Sequence, residues 1–437
     1  MNIKLIVRRL IFPIFGALLL ASCGSDVFPS GDDAYCDEDW GTCYAFFENK
    51  IAMEKDNKWG YVDQEGEAVI DFEFDDAAAF AHGVAIVKIG TKENIINSKG
   101  ETLITGGYDR IMRDVDEAIM LYKTSAGYGL LSESGDEITE DIYFDVVGQF
   151  VDGLLAVSVG AGDTYGYVNP SGDVVISTTY QEAYPFTSGL GLVKVGGRYG
   201  FVDQDGDFVI DATYLDAWSF DAFDRAIVQN LDETFSLINK QGVALIEEVA
   251  DIYGEGPLYE VEDQTGDLYL YRADGTKFQP QMYTYINVYN EYLANVEWDE
   301  GLDSFDETIL FNPDGTINQS VPYANSNYIV SGDKKTYLID DSNQLQLYSY
   351  DLDFMVNGDG VHMISDTLVV VEDGEKVGAY TLEANPEIAI PFIYDNLLPM
   401  ADDYIFAEQD GFMGVLTNDG DIIVPFEYDM FNFLPNI

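Results

Sequence analysis

Basic residues are scarce: 21 Lys and Arg stand against 79 Asp and Glu in 437 residues, a formal net charge of -58. A surface this negative repels phosphate backbones and excludes nucleic acid as a partner. Histidine is nearly absent, with only His82 and His362, and there are just three cysteines. That leaves too few ligands for a zinc triad or a closed four-ligand site. His82 sits in Phe80-Ala81-His82-Gly83, a loop slot, and reads as a solvent-facing turn residue. There is no Gly-x-Ser-x-Gly elbow, no phosphate-loop glycine pattern and no His-Glu-x-x-His. Paired carboxylates could serve a glycosidase, but 79 acids make any pairing along the sequence uninformative. Catalytic residues are therefore none. Proline is also sparse, at 13 residues. What is plentiful is apolar and aromatic: 47% hydrophobic residues, 30 Tyr and 26 Phe. Disordered acidic chains lack such residues, so the composition is that of a folded, β-rich protein.

The N-terminus carries Lys4, Arg8 and Arg9 ahead of an apolar run from Leu10 to Ala21. Twelve residues fall short of the roughly 20 that span a bilayer but suit the h-region of a signal peptide. The run ends in Leu20-Ala21-Ser22-Cys23, which resembles the lipobox of bacterial lipoproteins. The resemblance implies cleavage before Cys23 and acylation of its thiol. Gly24 follows where an inner-membrane retention signal would place Asp, which implies an outer-membrane lipoprotein of a bacterial cell envelope. Several acyl chains give a stable anchor where one is marginal. Cys36 and Cys43 remain as an even pair in an oxidising compartment, read as a small disulfide loop or as two unrelated thiols. Residues 24–45 hold Asp26, Asp32, Asp33, Asp37, Glu38 and Asp39 among Gly, Ser and Pro, a composition that stays solvated as a tether.

From residue 46 the chain repeats itself. Glycines that suit a turn recur at Gly66, Gly100, Gly135, Gly172, Gly206, Gly242, Gly275, Gly315 and Gly420, with Asn343 and Asn385 filling the gap. Six residues before the turn stands Gly60, Gly129, Gly166, Gly200 or Gly414. Eight residues after it stands Phe74, Tyr108, Tyr143, Tyr180, Tyr214, Tyr283, Tyr323 or Tyr428. The fold class that follows is all-β: a tandem array of about eleven antiparallel β-meander repeats, propeller-like, with an open β-superhelix or solenoid as the alternative. A unit reads as Val84–Val87, Lys92–Asn97 and a third strand such as Glu101–Thr105. In Gly60-Tyr61-Val62 both faces are apolar, so these strands are expected to be buried on both sides, with the glycine placed where a neighbouring unit approaches. Such faces demand stacking of adjacent units.

Lys58-Trp59-Gly60-Tyr61-Val62-Asp63, Thr164-Tyr165-Gly166-Tyr167-Val168-Asn169 and Arg198-Tyr199-Gly200-Phe201-Val202-Asp203 resemble the WG-repeat family of bacterial proteins. The Ile390-Pro391 and Val424-Pro425 steps before Tyr394-Asp395 and Tyr428-Asp429 fit the same pattern. The resemblance covers roughly residues 50–437 and decays between 235 and 345. It implies a repeat scaffold and carries no catalytic residues.

The expected organisation is thus a lipoprotein signal peptide at 1–22, a lipidated Cys and acidic tether at 23–45, well-matched repeats at 46–240, degenerate repeats at 241–345 and C-terminal repeats at 346–437. No cofactor is expected. Asp203, Asp205 and Asp207, like Asn418-Asp419-Gly420-Asp421, place oxygens around a tight turn as calcium prefers, although a plain Asp-Gly hairpin accounts for both. Tyrosines outside the repeat register, Tyr283, Tyr285, Tyr289, Tyr292, Tyr348 and Tyr350, are free to stack on sugars or anchor proteins. The function expected is a lipid-anchored, non-enzymatic envelope scaffold for protein partners, with glycan binding at the cell surface as the alternative.

Overall fold

The computed structural model describes residues 48–278 and 368–432, apart from 115–117, 140–142, 160–163, 255–257, 382–385 and 401–403. Between 279 and 367 it describes the backbone of strands only. Among the described residues every regular element is a strand. The array is built from antiparallel sheets, most of three or four strands and one of seven, each well-formed repeat giving strands we term a, b and c in chain order. In the first repeat these are Lys50–Lys55, Lys58–Asp63 and Ala68–Phe74. A short fourth strand, d, leads away from each c strand and pairs with strand a of the following repeat. Asp76–Ala77 pairs with Val84–Ile89, Asp216–Ala217 with Arg225–Gln229, and Asn396–Pro399 with Tyr404–Gln409. The d strands are of uneven length, from two residues at Asp76–Ala77 to six at Glu182–Thr187, which is why the sequence pattern showed three strands per unit rather than four.

The b–c turn depends on one side chain. Asp63 Oδ1 accepts the backbone N–H groups of Glu65 and Glu67 at 3.1 and 2.9 Å. The Gly66 N–H donates to the Asp63 carbonyl at 3.0 Å. Gly66 has φ +79°, a left-handed conformation that glycine adopts without steric cost. Asn97, Asn169, Asp203 and Asn239 make the same pair of bonds in their own turns.

The strand glycine has a different cause from the one its position suggested. Trp59 faces Phe74 and Tyr61 faces Ile70, so an interval of two residues on strand b opposes four on strand c. Strand c therefore bulges over Gly60. A Cβ there would lie 2.8 Å from the Ile70 carbonyl oxygen and 3.0 Å from Phe72 Cα. Gly166 and Gly200 face the same obstruction, at 2.4 Å from Ile176 O and 2.6 Å from Ala212 N. The close approach is thus made by the next strand of the same repeat, not by a neighbouring unit.

Repeats lacking the glycine supply the control. Where Ser236 replaces it, Phe235 faces Val249 and Leu237 faces Ile246, so the bulge is one residue shorter. The Ser236 hydroxyl accepts the Glu248 N–H at 3.3 Å and the Asn230 side-chain N–H at 2.8 Å. Where Asn94 replaces it, the expected strand Glu101–Thr105 does not form. Isolated bridges Ile96–Thr102 and Glu93–Tyr108 remain.

Among the described residues no repeat has a core of its own. One apolar cluster joins Ala52, Trp59, Tyr61, Ile70 and Phe74 of the first repeat to Ala85, Val87 and Ile96 of the second. The strand-b aromatic packs on a Phe nineteen residues later at each good copy: Tyr61 on Phe80 at 4.7 Å, Tyr167 on Phe186 at 4.9 Å, Phe201 on Phe220 at 4.8 Å. Burying a large aromatic against its neighbour contributes about 2–3 kcal/mol each. The register also continues from the last repeat to the first. Met430–Asn432 pairs with Lys50–Lys55, and Ile51, Met53 and Val62 share a cluster with Phe406, Met413, Val415 and Val424. The described residues within Met1–Ser125, Leu130–Glu137 and Ala324–Ile437 form one compact unit, and those within Ala126–Gly129 and Ile138–Tyr323 form another.

Candidate binding surface

Where an aspartate follows the repeat aromatic, at Asp75, Asp395 and Asp429, it ties consecutive repeats together. Asp75 Oδ1 takes a bond from Lys58 Nζ of its own repeat at 2.7 Å, and Oδ2 takes the Gly90 N–H of the next repeat at 2.6 Å. Asp395 does the same with Lys376 and the Asp410 N–H, at 2.5 and 2.6 Å. Asp429 carries the register from last repeat to first, accepting the Asp56 N–H at 3.0 Å. The lysine bond, then the backbone bond, hold Asp75 and Asp395 below the usual carboxylate range.

Two polar clusters lie inside the units. In the second unit, Glu182 accepts Lys194 Nζ at 2.6 Å, Tyr199 Oη at 2.7 Å and Tyr184 Oη at 3.0 Å. Burial pushes Glu182 up, but these three bonds outweigh it and hold its carboxyl low, while burial drives both phenols well up. These bonds join strands d, a and b. In the first unit the Arg113 guanidinium is fully buried. It donates to the carbonyls of Ala81 and Val84 at 2.6 and 3.0 Å and to Glu133 at 3.3 Å. His82 Nδ1 lies 2.6 Å from the same Glu133 oxygen, so this half-exposed turn histidine is tied to the b–c turn of another repeat.

The surface itself is apolar in a regular way. Three residues after the turn glycine stands an exposed aliphatic in five successive repeats: Val69, Leu103, Ile138, Val175 and Val209. Where strand c forms, as at Val69, Val175 and Val209, it is the last strand of its sheet, so its start has no neighbour to cover it. The following residue is covered, because the turn of the next repeat sits on it: a Cβ on Gly206 would meet Ile176 at 3.0 Å, and one on Gly242 would meet Ile210 at 3.4 Å. The second unit presents the fullest set. Val174 (52% exposed), Val175 (45%), Phe208 (41%), Val209 (45%) and Val243 (56%) lie on three consecutive repeats.

Of the residues singled out from the sequence, Trp59, Gly60, Gly129, Gly166 and Gly200 are buried in b strands. Gly66 and Gly206 turn with positive φ. Tyr180 and Tyr428 are buried; Tyr108 and Tyr214 are half-buried. Tyr108 Oη donates to Glu137 at 2.8 Å, and the Tyr108 ring stacks on Tyr122 at 4.2 Å. Asp203 is occupied by its own turn, with Asp205 and Asp207 exposed beside it. Among the described residues no three or more His, Cys, Asp and Glu are placed to hold a metal ion. Cys23, Cys36 and Cys43, with Tyr283, Tyr292, Tyr323 and Tyr350, lie outside the described residues, as do the side chains of Tyr285, Tyr289 and Tyr348. No helix among the described residues is long and apolar enough to cross a membrane. Sequence reasoning missed the Lys–Asp tie, the Glu182 and Arg113 clusters and Gly378, whose Cβ would meet the Phe392 ring at 2.7 Å. The recurring Tyr-Asp step was the available signal for the first.

Four segments, residues 59–92, 165–199, 199–232 and 384–411, match the family described as WG containing repeat; the chain carries WG-type repeats. No curated protein matches the sequence. Solved structures with similar folds include a eukaryotic initiation factor, at 10% identity over 88% of this chain and 96% of that one with a TM-score of 0.42. Kluyveromyces lactis Hsv2p aligns at 11% identity over 56% and 99%, TM-score 0.29. Apo AztD from Citrobacter koseri aligns at 12% identity over 70% and 93%, TM-score 0.25.

Proposed function

We propose that this array of WG-type repeats is a non-enzymatic binding scaffold, anchored by lipid at Cys23 to the outer membrane of a bacterial envelope and holding protein partners. The observation that carries the binding role is the exposed apolar stripe on the c strands. Apolar side chains left in water on a chain this acidic have a solvation cost, and docking a partner on them removes that cost. The polar side chains of the Glu182 and Arg113 clusters are engaged with neighbours inside the protein, which favours binding over chemistry. The Leu-Ala-Ser-Cys step supports the anchor.

Capture from an envelope extract tests the reading, with the full chain as bait, with and without calcium. A saturable, stoichiometric protein is the expected result; background alone refutes the scaffold. Exposed Trp218 and Phe223, each 38% accessible, favour glycan binding as the second reading. Quenching of intrinsic fluorescence on titrating polysaccharides tests it.

A further inference from the structure

We propose that the stripe on the second unit docks an extended, basic protein segment whose side chains alternate between cationic and apolar. This rests on the scaffold reading and names the partner's chemistry. Strand Val174–Tyr180 presents Val174 and Val175, and the following turn, packed on its Ile176 through Gly206, carries Asp205 and Asp207 with exposed carboxylates. Strand Phe208–Tyr214 then presents Phe208 and Val209, with Asp211 exposed two residues on. Apolar side chains and carboxylates therefore alternate across consecutive repeats.

Charge points the same way. Residues 164–249 contain thirteen acids and four basic residues. Lys194 is bound to Glu182 and Lys240 to Asp224, each through an ion pair. A cationic partner meets complementary potential and is steered onto the apolar contacts. The bulge in each c strand interrupts a regular ladder, so the partner attaches through side chains rather than by adding a strand.

Fluorescence anisotropy on the full chain tests this with three labelled decapeptides: alternating Lys-Val, alternating Glu-Val, and all Lys. Lys-Val binds saturably at low salt, and Glu-Val does not. V175T/F208T/V209T, which leaves the charge unchanged and puts a β-branched residue at each site, weakens Lys-Val binding by about tenfold. D205N/D207N weakens it and flattens its salt dependence. Circular dichroism and melting confirm that each variant is folded; if the triple variant is not, V175T/V209T replaces it. Equal binding of all-Lys and Lys-Val, or unchanged binding in the folded apolar variant, overturns the proposal. Capture of an envelope partner by that variant at wild-type level overturns this surface while leaving the scaffold reading standing.

Discussion

Replacing Gly200 by Ala tests the link between the repeat glycine and the bulge. The added Cβ would stand 2.6 Å from Ala212 N, 2.7 Å from Ala212 Cα and 2.7 Å from the Ile210 carbonyl oxygen. All three are backbone atoms, so no rotamer relieves them and strand c must shift. Overpacking of this kind costs about 1–3 kcal/mol. The shift also loosens the Tyr199–Tyr214 and Phe201–Ile210 pairs, adding about 1 kcal/mol. The expected loss is about 2–4 kcal/mol, or about 4–16 °C in Tm for a cooperative unit of 150–250 residues. Gly197→Ala is the comparison: φ is +75° with open space around the site, and the backbone strain alone costs about 1 kcal/mol. The repeat bearing Ser236 supplies the rescue. Gly200→Ser with Ala212 deleted copies its shorter bulge and is expected to recover at least half of the loss. Urea melts of the three variants decide it. Gly200→Ala no worse than Gly197→Ala, or a deletion that destabilises further, refutes the reasoning.

Asp76, Glu93 and Asp216 are held above the usual carboxylate range, chiefly by burial, so their contribution is full below that range and lost as pH rises through their folded values. Asp76→Asn keeps the cap on the Ala77 N–H, as Asn396 does for Leu397, and is expected to raise Tm at pH 7 but not at about pH 3. Asp395 has the opposite sign: held low by Lys376, it stabilises above the usual range and loses this as pH falls through its folded value. Asp395→Asn is therefore expected to lower Tm at pH 7 and to have no effect once Asp395 is protonated. With a net charge of -58, screening is expected to raise Tm as NaCl increases; a fall contradicts the electrostatic account. Cys23→Ala is expected to move the chain from the membrane to the soluble fraction, read by fractionation and by the mass of the N-terminal peptide.

Much of the fold was legible because it is periodic. The turn glycines and the aromatics eight residues on fixed the register, and burial of Trp59 to Val62 on both faces follows from the apolar run. What stayed hidden depends on pairing between distant residues. That Gly60 answers a bulge in Ala68–Phe74 appears only once Trp59 is seen opposite Phe74. The d strands, some of only two residues, leave no regular pattern. The boundary near residues 126–138 lies beside an intact turn at Gly135, so nothing in the register marks it. The exposed stripe was visible as aliphatics in the repeat, but the pattern could not say which of them the next turn would cover: Ile176 is buried and Val175 is not.

A photo-reactive amino acid placed at Val209 in the full chain, and at Leu231 in a second strain, tests the binding role most directly in the native cells. Both positions are exposed in the second unit, but only Val209 lies on the stripe. Irradiation is expected to give one discrete adduct with a basic protein from position 209 and none from 231. No adduct from 209, or the same products from both positions, would contradict the scaffold.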